Sequence, residues 1–175
     1  MPGDVTHRLR LALGAGDRRA LGHATEIARQ TLDNPLLVPD LLACLCDDDE
    51  TVVSHAAHAV MQVGAQTPGL FQPHAAAMID ILDRRAQWEI GEQLPKVLAE
   101  LDYDAARAER LLAVLRRLAA GPSAIAAASA LSAVGRLAER GIVVRQVFEL
   151  LIADALRSPK KAVAARARRL MEGRA

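Results

Sequence analysis

An apolar stripe of helical spacing recurs five times along the 175 residues, and this recurrence limits the possible fold more than any other feature. In CDDDETVVSHAAHAVMQVG (46–64), Val53, Ala57, Val60 and Val63 fall on one side of a helix, and Gly64 follows them. AIAAASALSAVG (124–135) repeats the pattern with Ala124, Ala128, Leu131, Val134 and Gly135. Near the end, Val163, Ala167, Leu170 and Gly173 keep its phase. Looser copies start at Ala20 and Ile90. The anchors at 20, 53, 90, 124 and 163 are spaced by 33, 37, 34 and 39 residues.

Ahead of most anchors lies a second apolar stripe: DLLACL (40–45), AMIDIL (77–82), RLLAVL (110–115) and ELLIADAL (149–156). Each unit therefore reads as two helices joined by a short polar turn. Breakers such as GAQTPGLFQP (64–73) and ERG (139–141) separate the units. Helices are expected over 5–13, 17–32, 36–46, 50–65, 73–83, 86–101, 104–120, 123–139, 142–157 and 160–172. They group as units 5–32, 36–65, 73–101, 104–139 and 142–172 of one domain spanning 1–175. Pro73 is expected in the first turn of its helix, where a missing N–H costs nothing. The 35 alanines and the 2% aromatic share suit helices whose backbones approach closely. The expected class is all-α. One helix pair cannot bury its stripe alone, so successive pairs must stack and share a continuous core.

The turn and second helix in 46–64, and SPKKAVAARARRLM (158–171), resemble HEAT repeats, with an acidic or polar turn followed by Val, then Ala-Ala, an aliphatic and Gly. The likeness runs from about Val5 to Met171 and is to small bacterial-type HEAT proteins. It implies an α-α superhelix, a solenoid of about five antiparallel helix pairs. The chain departs from the pattern at Ser54 and Ala164, where the family usually has Arg. Pro95 lies inside a second helix and is expected to kink it or delay its start. The resemblance further implies that the second helices line a concave surface.

Several residues look chemical and are better read as structural. Asp47, Asp48, Asp49 and Glu50 sit just ahead of a helix, where carboxylates accept free N–H groups and complement the dipole. The alternating acidic loop of a calcium site is absent. His55 and His58 lie off the Val53/Ala57/Val60 stripe, on a face shared with Gln62 that is expected to point away from the core. Two histidines do not complete a zinc site, and Cys44 and Cys46 lack a C-x-x-C spacing, so no metal and no cofactor is expected. Trp88, beside Glu92 and Lys96 on the next second helix, is either packing or an interface anchor. It also gives a faint likeness to HEAT-like DNA glycosylases. Beyond Trp88 and Tyr103, however, little aromatic material could hold a damaged base.

Charge is lopsided. Residues 1–104 hold 8 basic and 16 acidic side chains, and residues 105–175 hold 14 and 5. Arg157, Lys160, Lys161, Arg166, Arg168, Arg169 and Arg174 crowd the last helix. Such residues can track a nucleic-acid backbone, or they can keep the outer side of a terminal repeat polar. Opposite charge on the two halves also allows self-association. There is no Gly-rich phosphate loop, nucleophile elbow or H-E-x-x-H, so no enzyme is expected. The start shows no secretory h-region and no apolar run spans a bilayer, which points to a cytoplasmic chain without membrane contact. The expected function is a non-catalytic scaffold whose concave surface binds a protein or peptide through His55, His58, Gln62, Trp88, Glu92 and Lys96. The alternative is nucleic-acid backbone binding through Arg157, Lys160, Lys161, Arg166, Arg168 and Arg169.

Overall fold

A computed structural model of the chain describes residues 2–17 and 22–173. Ten α-helices make up these residues: α1 Pro2–Gly14, α2 Gly22–Asp33, α3 Val38–Cys44, α4 Glu50–Gln66, α5 Ala75–Arg84, α6 Trp88–Leu98, α7 Ala105–Ala120, α8 Ala124–Glu139, α9 Arg145–Leu156 and α10 Lys161–Met171. Two 3₁₀ segments, Pro35–Leu37 and Pro68–His74, join them, and no strand occurs among the described residues. The chain is all-α. Ala20 and Arg174 lie outside the described residues.

Helix starts follow local chemistry. The Asp49 carboxylate accepts the Thr51 N–H at 2.8 Å, Asp104 accepts the Arg107 N–H at 2.8 Å, and Ser123 accepts the Ala126 N–H at 3.3 Å. Asp47 in turn accepts the Asp49 N–H at 2.9 Å and pairs with Arg10 at 2.6 Å. The acidic run is thus a cap with a support behind it. Asp49→Ala is expected to lower stability by about 1 kcal/mol. Asp48→Ala, at an exposed position outside those bonds, should stay within about 0.5 kcal/mol. Urea unfolding followed by circular dichroism separates the two, and equal losses would contradict the capping assignment.

One expected boundary is corrected, and one of the two effects expected of Pro95 is absent. Pro73 does not open α5: the chain stays in 3₁₀ geometry from Pro68 to His74, and the α-helix begins at Ala75. Pro73, inside that segment, has no N–H to donate to the Gly69 carbonyl, and its ring would crowd that carbonyl in an α-helix. Pro95 does not delay α6 either. The helix starts two turns earlier at Trp88 and runs through Pro95 to Leu98, although proline has no N–H for the bond to the Gly91 carbonyl.

The even-numbered helices form the spine. α2 packs on α4, α4 on α6, α6 on α8 and α8 on α10, while each odd helix lies against its own even partner. Every substantial contact joins elements close in chain order. The buried apolar residues form one connected cluster from Leu9 to Ala167. Two of the spine contacts depend on glycine. A Cβ at Gly64 would stand 2.6 and 2.7 Å from the two γ-methyls of Val97, and one at Gly91 would stand 2.8 Å from Ala126 Cβ.

The lopsided charge has a use inside the chain. Arg110 pairs with Asp80 and Arg117 with Asp83, joining α7 to α5. Arg136 clasps both oxygens of Glu100 at 2.8 and 3.1 Å. Arg140 donates to the Ala99 and Leu101 carbonyls at 2.7 and 2.8 Å and pairs with Asp102 at 2.7 Å. In each case a basic residue of the later half reaches back to an acid near the middle of the chain. Most of these pairs are exposed and individually weak, so they set register more than stability.

Candidate partner-binding surface

The spine leaves one side of α4, α6, α8 and α10 uncovered by the odd helices, and several of the expected contact residues gather there. His58 is half-buried on α4. Loss of solvent holds its imidazole pKa below the ordinary histidine value; Glu92 and Glu89 oppose the shift, and Lys96 and His55 add to it. Gln62, one turn further on, donates to Thr25 of α2 at 3.2 Å. On α6, Lys96 reaches Gln93 Oε1 at 2.8 Å and Glu92 Oε1 at 3.5 Å. His58 therefore lies near Glu92 and Lys96, while Gln62, a turn further along α4, contacts α2.

His55 does not face that side. It is 0% exposed, and its Nδ1–H donates to the Leu13 carbonyl at 2.7 Å, tying α4 to the last turn of α1. The expectation that His55 faces outward is corrected. α4 is packed by α1, α2, α3 and α6, so Val52, Ser54 and Ala56 are buried as well as the Val53 stripe. Trp88 is 43% exposed, but it stands at the α5–α6 turn and lines a cavity there with α7 and α8 residues, apart from the His58 cluster.

Sequence reasoning missed the partners that α8 and α10 contribute. Ser129 donates to the Glu92 carbonyl at 2.6 Å, and Arg166 Nε donates to Ser132 at 2.7 Å. Between α6, α8 and α10 runs a groove of about 410 Å³ whose lining includes Ala124, Ala128, Ala162 and Ala165. Its walls carry Glu92 and Lys96 on one side and Arg166 and Arg169 on the other, with exposed Ile125 at one end. Glu89 was also missed. It is 1% exposed on α6, close enough to influence His58. Its position beside Ile90 in the apolar stripe is the one signal that could have marked it.

The basic residues near the end divide between two places. Arg157 pairs with Asp154, and Lys160 donates to the Gly121 carbonyl; both line a hollow at the α9–α10 turn. Arg166 and Arg169 belong to the groove, and Lys161 and Arg168 are exposed. Among the described residues no three His, Cys, Asp or Glu side chains converge as a metal would require. Both cysteines are free. Burial, and then Asp47 and Asp40, push the Cys44 thiol up to about 11, while Cys46 is exposed. No helix of the described residues is long and apolar enough to cross a membrane. Comparison with protein-family models, with characterised proteins and with solved structures finds no match to this chain.

Proposed function

We propose that the chain is one HEAT-like solenoid domain of five antiparallel helix pairs that works in the cytoplasm as a non-catalytic binding scaffold. Packing confined to elements close in chain order, along a spine of second helices, supports the solenoid reading. The observation that carries the function is the groove between α6, α8 and α10. The small alanine side chains of its lining admit a partner's backbone or side chains closely, and three cations against one carboxylate favour an acidic peptide segment. Nothing in this reading needs a cofactor.

The test takes a peptide selected from a displayed random library on the immobilised chain. Lys96→Glu with Arg169→Glu reverses two exposed groove charges without touching the core. Reversal of wall charges is expected to weaken an acidic peptide by about tenfold or more, since each such contact is worth about 1–2 kcal/mol. If every selected peptide binds the double variant as tightly as the native chain, the groove is not the docking surface. Nucleic-acid binding through Arg157, Lys160, Lys161, Arg166, Arg168 and Arg169 is the second reading, favoured by the exposed cations of α10. A salt-sensitive mobility shift of generic duplex DNA that outcompetes the peptide would move the function there.

A further inference from the structure

Successive odd helices are not joined alike. α5 and α7 pack on each other and are strapped by the Arg110–Asp80 and Arg117–Asp83 pairs. α7 and α9, the next two, make no substantial contact among the described residues, and α9 packs instead on α8 and α10. A hollow of about 460 Å³ lies between them, lined by Ala119 and Ala120 from α7 and by Leu151 and Ala155 from α9. Ala119 and Leu151 are only partly covered, so this junction leaves in water apolar surface that a closer approach would bury.

The charges across the hollow are complementary but unmatched. Arg116 of α7 and Asp154 of α9 both line it. Arg116 is exposed and has no ion-pair partner among the described residues. Asp154 is held at 2.5 Å by Arg157, at the end of its own helix. Two arginines thus compete for one carboxylate, and both pairings are exposed and of similar strength. Among the described residues one side-chain bond crosses the hollow, from Lys160 Nζ to the Gly121 carbonyl, and the flexible lysine stem can follow a movement without letting go. On the α8 side Phe148 rests against Gly135, where a Cβ would stand 3.1 Å from its ring. No side chain interlocks at that contact, which leaves α9 free to roll on α8.

We infer that the last helix pair has two positions: the open one of this structure, and a closed one in which α9 docks on α7 and Asp154 exchanges Arg157 for Arg116. Closure repeats at the α7–α9 junction the strapping already present between α5 and α7, and buries Ala119, Ala120 and Leu151. α10 packs on α9 and carries Arg166 and Arg169, so the groove wall they form moves with the pair. The movement itself does not depend on what the groove binds.

Spin labels report the two positions directly. Cys44→Ala and Cys46→Ser clear the native thiols, and Ala113→Cys on α7 with Ala153→Cys on α9 carries the labels at exposed positions outside the hollow. Pulsed dipolar spectroscopy is expected to give a main distance and a shorter second component. Arg157→Gln frees Asp154 and should raise the ratio of short to long by about two- to fivefold, the range over which one exposed ion pair moves an equilibrium. Arg116→Gln should lower that ratio by a similar factor. Arg116→Asp with Asp154→Arg restores the pairing with its charges exchanged and should bring the short component back. All three positions are exposed, so circular dichroism should be the same for every variant. A single distance in the native sequence and in Arg157→Gln alike would overturn the inference. So would a short component that does not respond to Arg116.

Discussion

Phe71→Ala is expected to remove about 3–5 kcal/mol of stability, the largest loss from any single truncation considered for this chain. Phe71 is 0% exposed and heads the fully buried side chains by size. It sits in the 3₁₀ segment Pro68–His74, which lies against α3, α4 and α5. The side chain thus plugs the place where the second helix pair hands over to the third. Rigid helices on three sides cannot close over the space left behind, so the cavity penalty adds to the lost burial. Against a total near 5–15 kcal/mol for a domain, such a loss shifts the urea midpoint far. Trp88→Ala is the paired control. The indole is half open, so truncation there should cost only about 1 kcal/mol despite the larger ring. Circular dichroism reads both variants without needing the tryptophan. Similar losses for Phe71 and Trp88 would mean that the α5–α6 turn, and not the inter-pair link, holds the aromatic anchor.

The contrast between these residues also marks what could be read without coordinates. Helices with clear stripes, such as α4 and α8, were legible because a 3.6-residue period is a local property, and the acidic run ahead of α4 was legible as a cap for the same reason. Phe71 was not, since it lies in a breaker where periodicity says nothing. His55 failed for a different reason. A stripe identifies one buried side, whereas a spine helix is covered on several. The group that satisfies His55, a main-chain carbonyl at Leu13, leaves no mark in the sequence. The groove was half-legible. Glu92 and Lys96 share a helix face, but Arg166 and Arg169 join them only through the packing of α6, α8 and α10. The charge imbalance was plain, yet its internal use by Arg110, Arg117, Arg136 and Arg140 depends on which helices become neighbours.

Gly64 yields the second large effect, and the sign is opposite to that expected from helix propensity. In the middle of an isolated helix, Gly→Ala gains about 1 kcal/mol. Here the new methyl would lie 2.6 and 2.7 Å from the γ-carbons of Val97, a buried residue of the facing helix. Valine is stiff about χ1, so the strain is relieved only by moving α4 and α6 apart. Overpacking of this kind costs about 1–3 kcal/mol, and Gly64→Ala should therefore destabilise by about 1–2 kcal/mol net. Gly64→Val, with two further methyls at the same contact, should lose about 3 kcal/mol or more. The decisive measurement is the double variant. Val97→Ala removes the clashing methyls, so adding Gly64→Ala to it should restore stability instead of lowering it further, a coupling of about 2 kcal/mol between the two sites. Strict additivity would show that α4 and α6 do not meet at Gly64 and Val97, and the spine of second helices would then lack its closest contact. Coupling of the expected sign ties residues 33 positions apart into one helix–helix seam between the repeated stripes that start at Val53 and Ile90.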